Sequence, residues 1–323
     1  MSDKHPPHSH HDSGPIDLKG IARLAMLERS LEPDFPRAAL SELGAIEHAA
    51  ERDPKDASIR DLSDRPWLSI DNDDSRDLDQ LSFAERPQGG ATKIFVAVAD
   101  VDSLVHQGSA LDDHARANTT SVYTAAQIFP MLPERLSTDL TSLGEAVTRL
   151  ALVVEVDVRD DGTIASSDVY RASVQNQAKL AYNSVAAWLD AAGPAPERVK
   201  ADSDIAEQLK IQDRVAQALR KQRFEHGALS LETLEARPVF DAGTIADLVP
   251  EGTNRAKQLI EDFMIAANGV TARFLERKGF PTLRRVLRSP ERWAQIVALA
   301  ESLGGHLPEE PSNAELEAFL NQR

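Results

Sequence analysis

Ser69-Ile70-Asp71-Asn72-Asp73-Asp74-Ser75-Arg76-Asp77-Leu78-Asp79-Gln80-Leu81 is the stretch on which the reading of this chain turns. Five of its residues are aspartates: Asp71, Asp73, Asp74, Asp77 and Asp79. Carboxylates a few ångströms apart repel one another, and they ionise together at neutral pH only where cations or a hydrogen-bond network hold them. Apolar arms enclose the run, Trp67-Leu68-Ser69-Ile70 before it and Leu81-Ser82-Phe83 after it. The pattern predicts strand, acidic loop, strand, which is a way to aim oxygen ligands at a metal ion. A solvated acidic turn is the plain alternative.

The residue types narrow the chemistry. An EF-hand calcium loop needs glycine at its sixth position and glutamate at its twelfth. Counted from Asp71, those positions hold Arg76 and Ser82, so that reading fails. Magnesium fits better, because it takes oxygen ligands and keeps several waters, so a few carboxylates and a substrate phosphate complete its shell. Two such ions, roughly 3.5 to 4 Å apart, activate a water and stabilise a departing oxygen. Asp71 ends the first predicted strand, and Asp77 and Asp79 share one face of an extended segment, so the three can converge on such a pair. No Ser-His-Asp set competes, and Gly89-Gly90 and Gly304-Gly305 lack the lysine and spacing of a phosphate-binding loop.

Working outward, the 323 residues have room for one large domain or two ordinary ones. Hydrophobic content of 41% and charged content of 27% are those of a globular protein. No stretch approaches the roughly 18 to 20 consecutive apolar residues of a membrane span, and the N-terminus has no apolar signal region. The absence of cysteine excludes disulfides and thiolate zinc sites and fits a reducing cytoplasm. A net charge of −16 opposes non-specific adhesion to nucleic acid. Basic residues gather locally nonetheless, at Lys210, Arg214, Arg220, Lys221 and Arg223, and at Arg273, Arg277, Lys278, Arg284, Arg285 and Arg288.

Residues 1–14 form a polar tail containing His5, His8, His10 and His11, read as disordered. Residues 15–64 read as a small helical unit and linker. Its apolar stripes are Leu18, Ile21, Leu24, Ala25, Leu27 and then Ala39, Leu40, Leu43, Ile46, Ala50, and the linker begins at Asp53-Pro54. From residue 65 to 323 the chain reads as one α+β domain. Lys93–Val101 is a strand, with Gln88-Gly89-Gly90 as the turn before it. Leu150–Val158 and Thr163–Tyr170 are a strand pair joined at Asp160-Asp161-Gly162, and Gly108–Leu143 mixes a short helix with a proline-rich piece. Helices follow from Tyr182, over Asp204–Phe224 and over Asn254–Lys278, with a strand predicted at Ala228–Ala236. Ser289-Pro290 reads as the start of another helix, and Ser312–Glu315 as a capping box opening a last one that the chain does not complete.

Several motifs now stand in one order: Asp71, Asp77 and Asp79 in D-x5-D-x-D, V-A-V-A-D-V (Val96–Val101), G-S-A-L-D (Gly108–Asp112), T-S-V-Y (Thr120–Tyr123), F-P-M-L-P (Phe129–Pro133), L-S-x-x-L-x-S-L (Leu136–Leu143), K-L-A-Y (Lys179–Tyr182) and I-E-D-F-M-I-A-A-N (Ile260–Asn268). Together they resemble the catalytic RNB domain of the ribonuclease II family. The resemblance implies a mixed-sheet α+β catalytic domain with surrounding helices, here preceded by the small helical unit. It implies magnesium (one or two ions) as cofactor and single-stranded RNA as partner, with no membrane or DNA partner. The implied activity is hydrolytic, processive 3′→5′ degradation to nucleoside 5′-monophosphates. Asp71, Asp77 and Asp79 match three site aspartates, with Gln80 at the position of the fourth, where an amide oxygen can ligate a cation but brings no charge. Tyr123 matches an aromatic that stacks on a base, a contact that tolerates any sequence. The resemblance further implies that the domain continues past Arg323 into an arginine-containing segment and an OB-type RNA-binding domain, and cold-shock-type domains are not recognisable in residues 1–64. An RNA-binding or regulatory module weakened at Gln80 is the second reading.

Overall fold

The computed structural model describes residues 17–85, 89–229, 235–241, 244–283, 290–320 and 322. The expected histidine-rich tail lies outside the described residues, as do Gln88, Arg284, Arg285, Arg288 and Ser289. By packing, the chain divides into two units, residues 1–45 with 105–133 and residues 46–104 with 134–323. It opens with α1 (Leu18–Glu28) and α2 (Arg37–Ala45), followed by β1 (Ile59–Asp61), β2 (Trp67–Asp71), β3 (Gln80–Ala84) and β4 (Ala91–Ala99). Next come α3 (Ala110–Asn118), the short strands β5 (Val122–Tyr123) and β6 (Ile128–Phe129), and the long strands β7 (Thr148–Arg159) and β8 (Ile164–Ala181). Then follow α4 (Tyr182–Leu189), α5 (Glu197–Ala201), α6 (Ser203–Glu225), β9 (Glu235–Asp241) and β10 (Thr244–Glu251). The last helices are α7 (Arg255–Arg277), α8 (Trp293–Ser302) and α9 (Asn313–Leu320).

The larger unit is built on a six-stranded mixed sheet in the order β1-β8-β2-β3-β4-β7. β7 also pairs with β8, so the sheet closes on itself. The length of β8 makes this possible. Its first part runs antiparallel to β7, from Ile164 opposite Val158 to Gln175 opposite Thr148. Its last part runs parallel to β2, from Asn176 opposite Trp67 to Ala181 opposite Asp71. Strand alternation then sorts the side chains between two cores. Trp67, Leu81, Phe83, Phe95, Val153 and Val174 fill the inside. Phe83 stacks on Phe95 with ring centroids 4.3 Å apart, and Trp67 meets Phe83 edge-on at 4.5 Å. The opposite face, with Leu68, Ile70, Ile94, Val96 and Val154, is covered by Leu209 and Val215 of α6 and Leu259 and Phe263 of α7.

α7 follows the sequence reading closely. Asn254 caps it by accepting from Lys257 N at 2.9 Å, and Leu259, Phe263, Ala267 and Val270 form the buried stripe that a helical period requires. Other expectations shift. Residues 59–61, expected in a linker, form β1 and pair in parallel with Arg171–Ser173 of β8. In the stretch expected to be a strand over Ala228–Ala236, residues 230–234 lie outside the described residues, and β9 begins at Glu235. α8 starts at Trp293 rather than Pro290, because Arg292 takes the left-handed conformation (φ 59°) that sets the helix entry. At α9 the Ser312 hydroxyl accepts from Glu315 N at 3.3 Å, the cap the sequence signalled.

In the smaller unit α2 packs on α3. His114 of α3 is 2% exposed, with Nδ1 3.2 Å from Glu32 Oε2 and Nε2 3.1 Å from Asn118 Nδ2. Asn118 also exchanges hydrogen bonds with the backbone of Glu32, which fixes its amide: Nδ2 donates, so Nε2 accepts and Nδ1 carries the imidazole hydrogen. Of the expected α1 stripe, Ile21, Leu24 and Leu27 stay exposed, and the residue the helix buries is Met26, which the stripe did not include. Among the described residues no helix is long and apolar enough to cross a membrane.

Candidate active site

The acidic loop joins β2 to β3, and three separate segments hold its backbone. Lys179 Nζ donates to Ser75 O at 2.5 Å. The Ser142 hydroxyl donates to Arg76 O at 3.0 Å and accepts from Leu78 N at 3.1 Å. Leu143 N donates to Leu78 O at 2.7 Å, and Ala99 N to Asp79 O at 3.0 Å. Ala99, Ser142 with Leu143, and Lys179 belong to three of the motifs quoted above, so those motifs share a purpose: they fix the loop. Leu78, 3% exposed, buries its side chain and turns the neighbouring Asp77 and Asp79 away from the core.

Asp71 caps the loop. Its Oδ1 accepts from Asn72 N at 2.7 Å and from the Ser75 hydroxyl at 2.9 Å, which leaves Oδ2 without a hydrogen bond among the described residues. Asp79 keeps solvent access, yet it is set deep, with protein dense around its carboxylate. That burial raises its pKa, and the charges of Asp71 and then Asp77 raise it further, against its own backbone N–H, which lowers it. Asp73 and Asp74 are exposed. Gln80 is 8% exposed. Its Nε2 donates to Ile70 O at 3.4 Å, while Oε1 is buried with no hydrogen-bond partner among the described residues.

Tyr182 completes the cluster. Burial raises the pKa of its phenol, as does the charge of Asp71 and then Asp79, while the amide of Gln80 acts against them. Its hydroxyl therefore stays protonated across the physiological range. Sequence reading placed Lys179 and Tyr182 in a motif but gave neither a role. The long-range pairing of Ala181 with Asp71, which no local spacing in the sequence shows, is what brings K-L-A-Y beside the acidic loop.

The structure thus brings Asp71, Asp77, Asp79 and Gln80 to one end of the sheet in the larger unit. Tyr123 belongs to the smaller unit, where it is 67% exposed on β5 opposite Ile128 of β6. Among the described residues no group of three His, Cys, Asp or Glu side chains is pre-arranged to hold a metal ion, although the charges of both Asp71 and Asp77 act on Asp79. What the site offers is a set of hard oxygens, the Asp71 and Asp79 carboxylates and an unsatisfied amide oxygen on Gln80. A buried acceptor without a donor costs about 1 to 3 kcal/mol, and a cation would relieve that cost. Magnesium is held by one or two carboxylates, with water and phosphate oxygens completing the shell, so these residues fit it.

Comparison with known proteins gives the lineage. Residues 59–322 match the RNB domain. Ribonuclease R of Vibrio parahaemolyticus is 34% identical over 271 residues, which is 83% of this chain and 32% of that protein. Ribonuclease R of Escherichia coli is 33% identical over 297 residues, 87% of this chain and 35% of its own. The chain therefore spans about a third of the length of these relatives. The structure of Mycoplasma genitalium RNase R in complex with ribose methylated single-stranded RNA superposes with a TM-score of 0.82 at 23% identity, covering 95% of this chain and 48% of that one. The fold is thus common to both. With the motifs in register around the acidic loop and the domain match running across most of its length, this chain belongs to the RNB domain family.

Proposed function

We propose that this chain carries the catalytic domain of a magnesium-dependent exoribonuclease that degrades single-stranded RNA processively from the 3′ end, releasing nucleoside 5′-monophosphates in the cytoplasm. One observation carries the reading: in a chain related to Ribonuclease R, the Asp71 and Asp79 carboxylates and the unsatisfied Gln80 oxygen share one rigidly braced loop. Asp71, Asp79 and Gln80 would hold the cation, which supplies charge neutralisation at phosphate and lowers the pKa of a bound water. The chain's own groups do the rest. Asp71 Oδ1 is committed to the loop, so Oδ2 is its working oxygen. The protonated Tyr182 hydroxyl is a hydrogen-bond donor for an anionic oxygen brought among the carboxylates. Lys179, Ser142 and Ala99 keep the loop from opening as its charge changes. The exposed ring of Tyr123 suits base stacking, worth roughly 1 to 3 kcal/mol per base and indifferent to sequence.

The neutral amide of Gln80 favours one other reading, an RNA-binding module with weakened catalysis. A single experiment separates the two. The chain is incubated with 5′-labelled single-stranded RNA, with magnesium or with a chelator. Processive exonuclease action converts the full-length RNA directly to a short 5′-labelled remnant and releases mononucleotides, read by chromatography, both lost on chelation and in Asp79→Asn. RNA retained on the protein without magnesium-dependent shortening selects the second reading. A product pattern unchanged by Asp79→Asn removes the acidic loop from the chemistry.

A further inference from the structure

A cavity of about 820 Å³ lies away from the acidic loop, within the larger unit. Its walls are the turn joining β7 to β8, the last turns of α6, the middle of α7 and the first residue of α9. The register of β4 shows how far apart the two places are. Ala91 opposes Arg159 beside that turn, while Ala99 opposes Ala151 at the acidic end. Eight residues of strand separate them, roughly 26 Å.

The chemistry of this cavity differs from that of the chain around it. The protein carries a net charge of −16, yet the cavity is lined by Arg223, Arg273 and His226. Among the described lining residues the one carboxylate is Asp262, which is 3% exposed and already bonded to Arg223, with Arg220 Nη1 3.7 Å away, so it offers an anion little repulsion. Arg273 makes no salt bridge or hydrogen bond among the described residues, and its guanidinium curls back over Gly269. His226 Nδ1 donates to Gln222 O at 2.8 Å, because that carbonyl can only accept, and Nε2 remains for a ligand. The floor is apolar, formed by Leu219, Ile265 and Ala266.

The Arg273 guanidinium recognises a phosphate, an apolar wall takes a flat ring, and an imidazole acceptor takes an amine or hydroxyl hydrogen. The volume lies in the range of roughly 300 to 1,000 Å³ typical of small-molecule sites. We propose that this cavity is a second site, separate from the acidic loop, that binds a free nucleoside monophosphate, with Arg273 as its principal phosphate contact. The proposal does not depend on the RNA-hydrolysis reading.

Calorimetric titration of the 323-residue chain with AMP, adenosine and inorganic phosphate tests it. AMP should bind, and adenosine and phosphate should each bind at least tenfold more weakly. Arg273→Ala should weaken AMP binding at least tenfold, and Arg273→Lys should recover part of the loss. Arg273 is exposed, so these variants keep the fold, which circular dichroism checks. Asp79→Asn should bind AMP as the unaltered chain does. AMP should also shift the imidazole resonance of His226. No AMP binding at millimolar concentration overturns the proposal, as does binding of an oligonucleotide but not of AMP. Binding that survives Arg273→Ala but is lost in Asp79→Asn overturns it too, by moving the nucleotide to the acidic loop.

Discussion

Asp79 holds its proton more tightly in the folded chain than in the unfolded one, because burial and then Asp71 raise its pKa above the ordinary 3.8. A carboxylate shifted in that direction contributes stability that is full below its unfolded pKa and is lost as pH rises through the folded value. Without divalent cations, Asp79→Asn should therefore melt at a higher temperature than the unaltered chain at pH 7. The gain should be modest, since solvent reaches the carboxylate and screens it, and it should fade as pH falls toward 3.8. Thermal scans across that range measure it, and an Asn variant less stable at pH 7 would contradict the account. Lys179→Met should cost about 1.5 kcal/mol, the low end for a hydrogen bond made by a charged donor, and should speed amide exchange in residues 72–78, while Lys179→Arg keeps most of the bond. Exchange in that loop unchanged in the Met variant would remove Lys179 as its brace. At this scale the sequence was informative in an uneven way. Charge density marks all five aspartates of the run at once, because nothing in a packed core favours it, and only spacing and the resemblance single out Asp71, Asp77 and Asp79. Tyr182 and Lys179 went unassigned, because their partners lie a hundred residues away in the chain and no local spacing shows a strand pairing.

Elements built from local pattern were legible, and those defined by long-range pairing were not. α7 has a cap, a stripe and a glycine stop within its own sequence. β8 is mixed in composition and could be read only to Tyr170, yet it runs to Ala181, because β7 supplies one half of its hydrogen bonds and β2 the other. β1 has three residues and exists only because β8 lies beside it. The closed sheet implies two outcomes for variants. Trp67→Ala empties an interior position that is 0% exposed and stacked edge-on against Phe83, and should cost about 3 to 5 kcal/mol in chemical denaturation. Gly162 sits at φ +83° in the turn between β7 and β8, where an added Cβ would lie 2.1 Å from Ala218 O of α6. Gly162→Ala should therefore destabilise by about 2 to 4 kcal/mol, combining left-handed strain with a backbone clash. A neutral result at Gly162 would mean that the turn does not press on α6.

At the scale of the whole molecule, charge is distributed by purpose. A chain of net charge −16 gains solubility and little attraction for polyanions, so an RNA-processing role requires local positive or cation-loaded surfaces. Part of the basic cluster on α6 is neutralised within the fold: Arg220 and Arg223 are engaged with Glu261 and Asp262 of α7, and Lys221 with Glu225. The acidic loop is the opposite case, a concentration of like charge that the fold braces and does not neutralise. Its central claim is cation binding, and a manganese titration followed by electron paramagnetic resonance reads that directly. The 323-residue chain should bind manganese saturably, lose it to magnesium, and bind at least tenfold more weakly as Asp79→Asn with the fold intact. Equal binding by the two proteins, or no binding by either, would contradict it.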